Sequence, residues 1–194
     1  MRFNVSEISA LIKDRRTIYP EQFSNRVVHK ELIEALLNNA IWAPTHGLTQ
    51  PWRFIVISED AKITLGEKLA ESYLEAIPKE NQSDAKLSKL LNRPKKASAV
   101  IALILHREKD TKISEKDDFA AVACAVQNMH LTATAYGLGA FWSTPKIMNH
   151  PNVRAFLELT EEQECVGFFY IGYPEIEWPT GQRRPIEYVT TWKK

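Results

Sequence analysis

The chain has 194 residues, with 25 basic and 24 acidic side chains and a formal charge of +1. Residues 1–194 are read as one domain with a full core, and near-neutrality leaves no sequence-wide field to draw the chain to nucleic acid or an anionic membrane. The start, Met1 to Glu7, is too polar for a signal peptide, and no apolar run approaches the roughly 18 residues that span a bilayer, so a soluble cytoplasmic protein is expected.

In chain order, Ser6 can cap a helix on which Ile8, Leu11 and Ile12 share a face, and that helix delivers Arg15, Arg16 and Thr17 to its end. Two guanidinium groups there either complement the helix macrodipole or, with the Thr17 hydroxyl, form a phosphate clamp. Residues His29 to Trp42 repeat apolar side chains at helical spacing until Pro44 stops them. The next stretch, Ala43 to Trp52, is rich in Pro, Gly, Thr, His and Gln and reads as a ligand-facing loop. Phe54 to Ile57 is expected as a core strand covered on both faces.

Two further helices are expected over Asp60–Ile77 and Asp84–Asn92, the second ending before Pro94. Six basic residues against two acidic ones between Lys79 and Lys96 make either a solvated face or a cationic lid that meets a phosphate-bearing substrate such as a nicotinamide nucleotide. Ala97 to Leu105 is a second buried strand, and Arg107 to Asp118 a charged surface segment. Phe119 to Tyr136 is a helix rich in small residues, buried on several sides in the domain centre or between subunits, with His130 as a core residue. Gly137 and Gly139 end that helix. A short strand through Phe141 then presents Trp142, Ser143 and Thr144 on a second ligand-facing loop. This is no dinucleotide fingerprint, because it follows a helix and has Trp142 in place of the third glycine.

A capped short helix over Asn152–Leu159 precedes the apolar strand Cys165 to Gly172. The tail beyond Pro174 carries Arg183 and Arg184 and ends in β-branched and aromatic residues, which suits an edge strand added to its own sheet or a neighbour's. Cys124 and Cys165 read as buried free thiols without zinc spacing.

No P-loop, Gly-x-Ser-x-Gly elbow or His-Glu-x-x-His pair is present, so phosphoryl transfer, α/β-hydrolase and zinc peptidase chemistry lack support. His46 has no nucleophile nearby in sequence. Basic pairs, two polar loops and Trp142 are an inventory suited to a flavin mononucleotide, a cofactor that carries its own chemistry and needs binding and orientation.

Four motifs in order carry a resemblance over nearly the whole chain. They are Arg15-Arg16-Thr17; Ala-Pro-x-His-x-x-x-Gln-Pro-Trp at Ala43–Trp52; Gly-x-Gly-x-x-Trp-x-Thr at Gly137–Thr144; and Gly172-Tyr173-Pro174 with Arg183-Arg184-Pro185. The chain resembles the nitroreductase-like family of FMN-dependent oxidoreductases, in its small bacterial members. The resemblance implies an α+β fold with a mixed central β-sheet flanked by helices, built as an intertwined homodimer with a C-terminal extension and FMN at the subunit interface.

By motif position Arg15, Arg16 and Thr17 bind phosphate and ribityl chain, with Arg183 and Arg184 completing the clamp. Thr45, His46 and Leu48 reach the flavin from the partner subunit, and Trp142, Ser143 and Thr144 lie along it from the first. The implied reaction is ping-pong: NAD(P)H reduces the flavin, and a nitroaromatic or quinone then takes the electrons. A flavin store or sensor, and a dehalogenase or flavin-fragmenting relative on the same scaffold, are the alternatives. Three positions depart from the pattern: Tyr19 replaces a basic residue, Trp42 replaces an Arg and either stacks or packs, and Leu48 replaces an Asn.

Overall fold

Long apolar runs with little polar alternation are stable as strands only when both faces are covered. The computed structural model describes residues 3–194; Met1 and Arg2, part of the polar N-terminal stretch, lie outside them. In it β1 (Trp52–Ile57), β2 (Ala99–His106), β3 (Gly139–Ser143) and β4 (Gln163–Gly172) form one sheet in the order β1-β2-β4-β3. The two most apolar strands take the two central places.

Alternate residues of β2 face opposite layers. Ala99, Ile101 and Leu103 pack with α2 (Lys30–Ala40) and α5 (Glu115–Ala135). Val100, Ala102 and Ile104 pack with α3 (Ala61–Ala76), α4 (Asp84–Lys96) and α6 (Pro151–Phe156). The result is a helix–sheet–helix sandwich of the α+β class. After β1 the α3–α4 hairpin returns the chain to the end it left, so β2 runs opposite to β1. A single crossover by α5 then sets β3 parallel to β2, and β4 fills the gap between them. Every pairing among the described residues is antiparallel, so a mixed sheet would need a strand from elsewhere.

Two close approaches set the shape of the β3–β4 edge. Gly139 and Gly172 are register partners, and a Cβ on either would lie within 2.8 Å of the Phe23 ring. These bare positions make the shelf on which Phe23 and Ile18 rest. On β4, Leu103 pairs with Gly167 and Ile104 with Cys165, leaving Val166 as the extra residue of a bulge. Gly167 has φ +142°, and the Trp142 indole lies over it, donating from Nε1 to the Val166 carbonyl at 3.2 Å.

Several expectations are corrected. Asn4, not Ser6, caps α1 (Val5–Asp14), its Oδ1 accepting from the Ser6 and Glu7 amides at 3.0 and 3.5 Å. β1 is an edge strand with Val56 42% exposed, not a core strand, because β2 is its sole partner among the described residues. α4 continues through Pro94 to Lys96, since a proline in the last turn forfeits one bond, to the Leu90 carbonyl. The charged segment ends earlier than expected, with α5 starting at Glu115 under a Ser114 cap. Cys165 is buried and its thiol pushed up to about 12 by burial, whereas Cys124 is half-buried. The tail holds one 3-10 turn, Ile186–Tyr188, and no strand.

Gly167→Ala sets a methyl against the Trp142 indole on backbone that L-residues avoid. It is expected to lower unfolding free energy by about 2–4 kcal/mol, read as a shifted urea midpoint with an unchanged slope.

Candidate functional site

The residues from Arg15 to Tyr19 leave α1 as an extended segment laid along β3. The Ile18 amide donates to the Ala140 carbonyl at 3.0 Å, and the Tyr19 ring stands 4.8 Å from that of Phe141. The tail returns to the same place: Trp178 Nε1 donates to the Asp14 carbonyl at 2.7 Å, and Arg16 Nε to the Pro179 carbonyl at 3.0 Å. Arg16 also donates to the Lys13 and Arg15 carbonyls and lies against Gly181. Its guanidinium is therefore a fastener between α1 and the tail.

That fastening sets Arg183 beside Arg15. Arg15 is half-buried, and burial first, then the charges of Arg183 and Arg16, lower its pKa from the ordinary value. Cations crowded together out of full solvent are stabilised by an arriving anion. Thr17 and Arg184 lie exposed nearby in the chain. Behind the clamp sits His130, 8% exposed, edge-on to Phe169 with ring centroids 4.7 Å apart and with Nδ1 unpartnered. Burial, and secondarily the Arg15 charge, pushes its imidazole down to about 4, so it is neutral at pH 7.

The Ala43–Trp52 loop is tied to the other end of α5. His46 Nδ1 is 3.1 Å from Asp117 Oδ2; Thr45 and Thr49 hydroxyls are 2.9 Å apart, and Thr49 donates to Asp118 Oδ1 at 2.9 Å. Asp118 is 1% exposed and its other oxygen accepts from Arg107 Nε at 3.1 Å. The His46 hydrogen bond, then that of Ser114, holds Asp117 below the usual carboxylate range. Between these anchors the backbone turns through φ +58°, +56° and +43° at Gly47, Leu48 and Gln50. Left-handed Leu and Gln cost free energy, and Leu48 is 80% exposed at the tip. Trp42, at the loop's start, is 84% exposed, so among the described residues its ring has little cover.

Trp142, Ser143 and Thr144 meet at a third place, a cavity of about 390 Å³ between the end of β3 and α4. Phe141 and Tyr170 supply aromatic walls. Arg93 of α4 stands 5.4 Å from the Tyr19 ring centroid and 5.0 Å from that of Phe141, and donates to Glu21 at 2.8 Å.

The chain thus brings the Arg183 charge within range of Arg15, which starts the segment laid along the strand that ends in Trp142–Thr144. It does not bring the Thr45–Leu48 loop to them: Asp117 and His130, which mark the two places, are about 20 Å apart along α5. Sequence reasoning missed Asp118 and Arg107, and read Arg93 only as one of the six basic residues of a solvated face or cationic lid, not at this place. Asp118 was findable, because with Val122, Ala125 and Met129 it falls on the buried stripe of α5, where a carboxylate requires a partner. Arg93 was not, since only the packing of α4 sets it over position 19.

Comparison with known proteins decides the family. The sequence profile of the Nitroreductase family matches residues 12–173. The chain belongs to the nitroreductase family. It is 30% identical over 184 residues to YfhC of Bacillus subtilis (strain 168), provisionally named an NAD(P)H nitroreductase, covering 93% of this chain and 91% of that one. A nitroreductase-like family protein from Bacillus cereus superimposes with TM-score 0.80 at 30% identity, over 100% of this chain and 99% of the other. The FMN-dependent nitroreductase NfnB of Mycobacterium smegmatis, solved with NADPH, shares the fold at TM-score 0.77 and 19% identity, over 98% and 100% of the two chains. No helix among the described residues of this chain is long and apolar enough to cross a membrane.

The neutral His130 carries a pH dependence. Its folded-state pKa, about 4, lies below the ordinary 6.5, so its contribution to stability is complete above pH 6.5 and is lost as the pH falls towards 4. His130→Leu is expected to flatten the fall of the denaturation midpoint across that window. An unchanged slope would place the acid sensitivity elsewhere.

Proposed function

We propose that this chain is an FMN-dependent NAD(P)H oxidoreductase that works as a homodimer and passes electrons to a nitroaromatic or quinone. The observation that carries this reading is the meeting of Arg15 and Arg183, from opposite ends of the chain, beside the strand that presents Trp142, Ser143 and Thr144. Arg15 and Arg183 hold the phosphate, with Thr17 and Arg184 at its margin. Arg16 contributes by fixing the tail. Trp142, Ser143 and Thr144 border the ring system.

The fit to FMN is chemical: paired guanidinium groups suit a phosphate dianion, and an aromatic-walled cavity suits a flat ring. FMN, when bound, supplies the hydride relay at its N5. NAD(P)H is oxidised and, in a ping-pong order, the nicotinamide leaves before the acceptor enters. A nitro group then takes two electrons and two protons, giving nitroso and water. Arg93 sets a guanidinium over Tyr19, but Glu21 pairs with it at 2.8 Å, so it adds no net charge where position 19 lacks a basic residue.

Thr45, His46 and Leu48 complete the site from a partner subunit, and Trp42 is covered in the same contact. The distance along α5 between loop and clamp supports this, as do apolar side chains left bare on one copy: Ile8 and Ile12 of α1, and Ile186, Tyr188, Val189 and Trp192 of the tail. The free edge of β1, beside a cavity of about 770 Å³ lined in part by Val28, Ile33, Leu37 and Val56, is the surface this reading assigns to the partner's tail.

Purified protein is expected to be yellow, dimeric by sedimentation, bleached by NADH or NADPH without oxygen, and recoloured by a nitroaromatic. Arg15→Ala should weaken FMN binding by roughly 1.5–3 kcal/mol, the loss of a charge-assisted phosphate contact. Flavin that stays oxidised with both nicotinamides would overturn the reading, and undiminished affinity would remove Arg15 from the site.

A further inference from the structure

The cations of α4 have no part in the clamp or the loop. Lys86, Lys89 and Arg93 stand at i, i+3 and i+7, and all three line the 390 Å³ cavity, joined there by Lys146. Helix cations on a solvated face usually have acidic neighbours three or four residues away. Lys86 has Ser83, Gln82, Lys89 and Leu90 at those positions, and Lys89 has Lys86, Ala85, Asn92 and Arg93. The helix therefore carries like charges at the spacing where they repel; its acid, Asp84, stands two residues from Lys86, and the Lys86 ammonium lies 5.1 Å from the Tyr73 ring centroid.

Arg93 alone of the four is neutralised, by Glu21. Among the described residues Lys86, Lys89 and Lys146 form no ion pair, and no Asp or Glu lines the cavity. Phe141 and Tyr170 give the same cavity aromatic surface. With the flavin ring against those walls, an acceptor stacked on it at the mouth of the cavity brings an unpaired anionic substituent to the lysines at the rim.

We propose that Lys86 and Lys89 select the electron acceptor by charge, so that the mouth of this cavity, over the bound flavin, takes aromatic acceptors bearing a carboxylate, sulfonate or phosphate group in preference to neutral ones. The inference rests on the oxidoreductase reading above and narrows its acceptor class. The lysines act as specificity determinants through long-range and rim contacts, so their effect is a difference between acceptors.

The test compares 4-nitrobenzoate with its methyl ester, which keeps the nitro group and loses the charge, using flavin-loaded enzyme and the double variant Lys86→Gln/Lys89→Gln. Both lysines are exposed, and the two single variants provide a second route should the double variant fold poorly. The kcat/KM ratio of acid to ester is expected to exceed one in the natural protein, to shrink with added salt, and to fall about tenfold in the double variant. Calorimetric titration with benzoate, which cannot be reduced, gives an independent readout: its Kd should rise by a similar factor.

A ratio that the substitutions do not move overturns the inference. So does a rise in KM for NADPH but not NADH with the acceptor ratio unchanged, which would assign the lysines to the coenzyme's extra phosphate. Failure to reduce either acceptor would overturn the oxidoreductase reading instead, and the benzoate titration would still decide the cavity: binding weakened in the variant supports anion selection, and equal binding refutes it.

Discussion

The return of the C-terminal segment to the end of α1 is the contact on which the geometry of the candidate site depends. Arg16 donates to the Pro179 carbonyl and Trp178 to the Asp14 carbonyl, and only this fastening sets Arg183 next to Arg15. The two cations repel, and Arg15 is partly withdrawn from water, as its lowered pKa records. Exposed ion pairs typically contribute ~0–1 kcal/mol, whereas hydrogen bonds to a charged group contribute about 1.5–3 kcal/mol. A phosphate held by several such bonds therefore outweighs the repulsion. The tail is fastened within the chain itself, by bonds from the Arg16 guanidinium and the Trp178 indole to backbone carbonyls.

A second constraint acts at the far end of α5. The buried Asp118 accepts from both Thr49 and Arg107, which ties a loop with two left-handed non-glycine residues to a rigid helix. Strain at Leu48 and Gln50 persists because Thr45, Thr49 and His46 are each held from both sides. One helix thus carries the clamp at one end and the loop at the other, a division that a two-fold pairing of chains would reconcile.

Much of this was legible in the sequence. The apolar period of α2 and the unbroken apolar runs of β2 and β4 gave their structure directly, and the four motifs named the family. What the motifs did not reveal is which of their residues serve the fold. Gly139 reads as a glycine that ends a helix and Gly172 as the end of a strand, and they are paired across β3 and β4 to seat Phe23; Arg16 reads as a phosphate ligand, and its Nε and Nη1 donate to the Pro179, Lys13 and Arg15 carbonyls. β1 read as a core strand because Phe54–Ile57 is apolar, but an apolar edge and an apolar centre look alike in sequence. Asn4 displaced Ser6 as the cap because both residue types suit that position and only the backbone path chooses between them. Arg93 and the lysines of α4 depend on how two helices pack on the sheet, which local sequence does not encode.

The account's central claim is that one flavin site takes its clamp from one chain and its loop from another. Co-expression of a clamp variant, Arg15→Ala/Arg183→Ala, with a loop variant, Thr45→Arg, under different affinity tags allows the heterodimer to be isolated and its FMN counted by absorbance. In a shared site both lesions fall together in one half and leave the other half intact, so the heterodimer is expected to hold one FMN while both variant homodimers hold none. A heterodimer without FMN would place clamp and loop in the same chain's site and contradict the account.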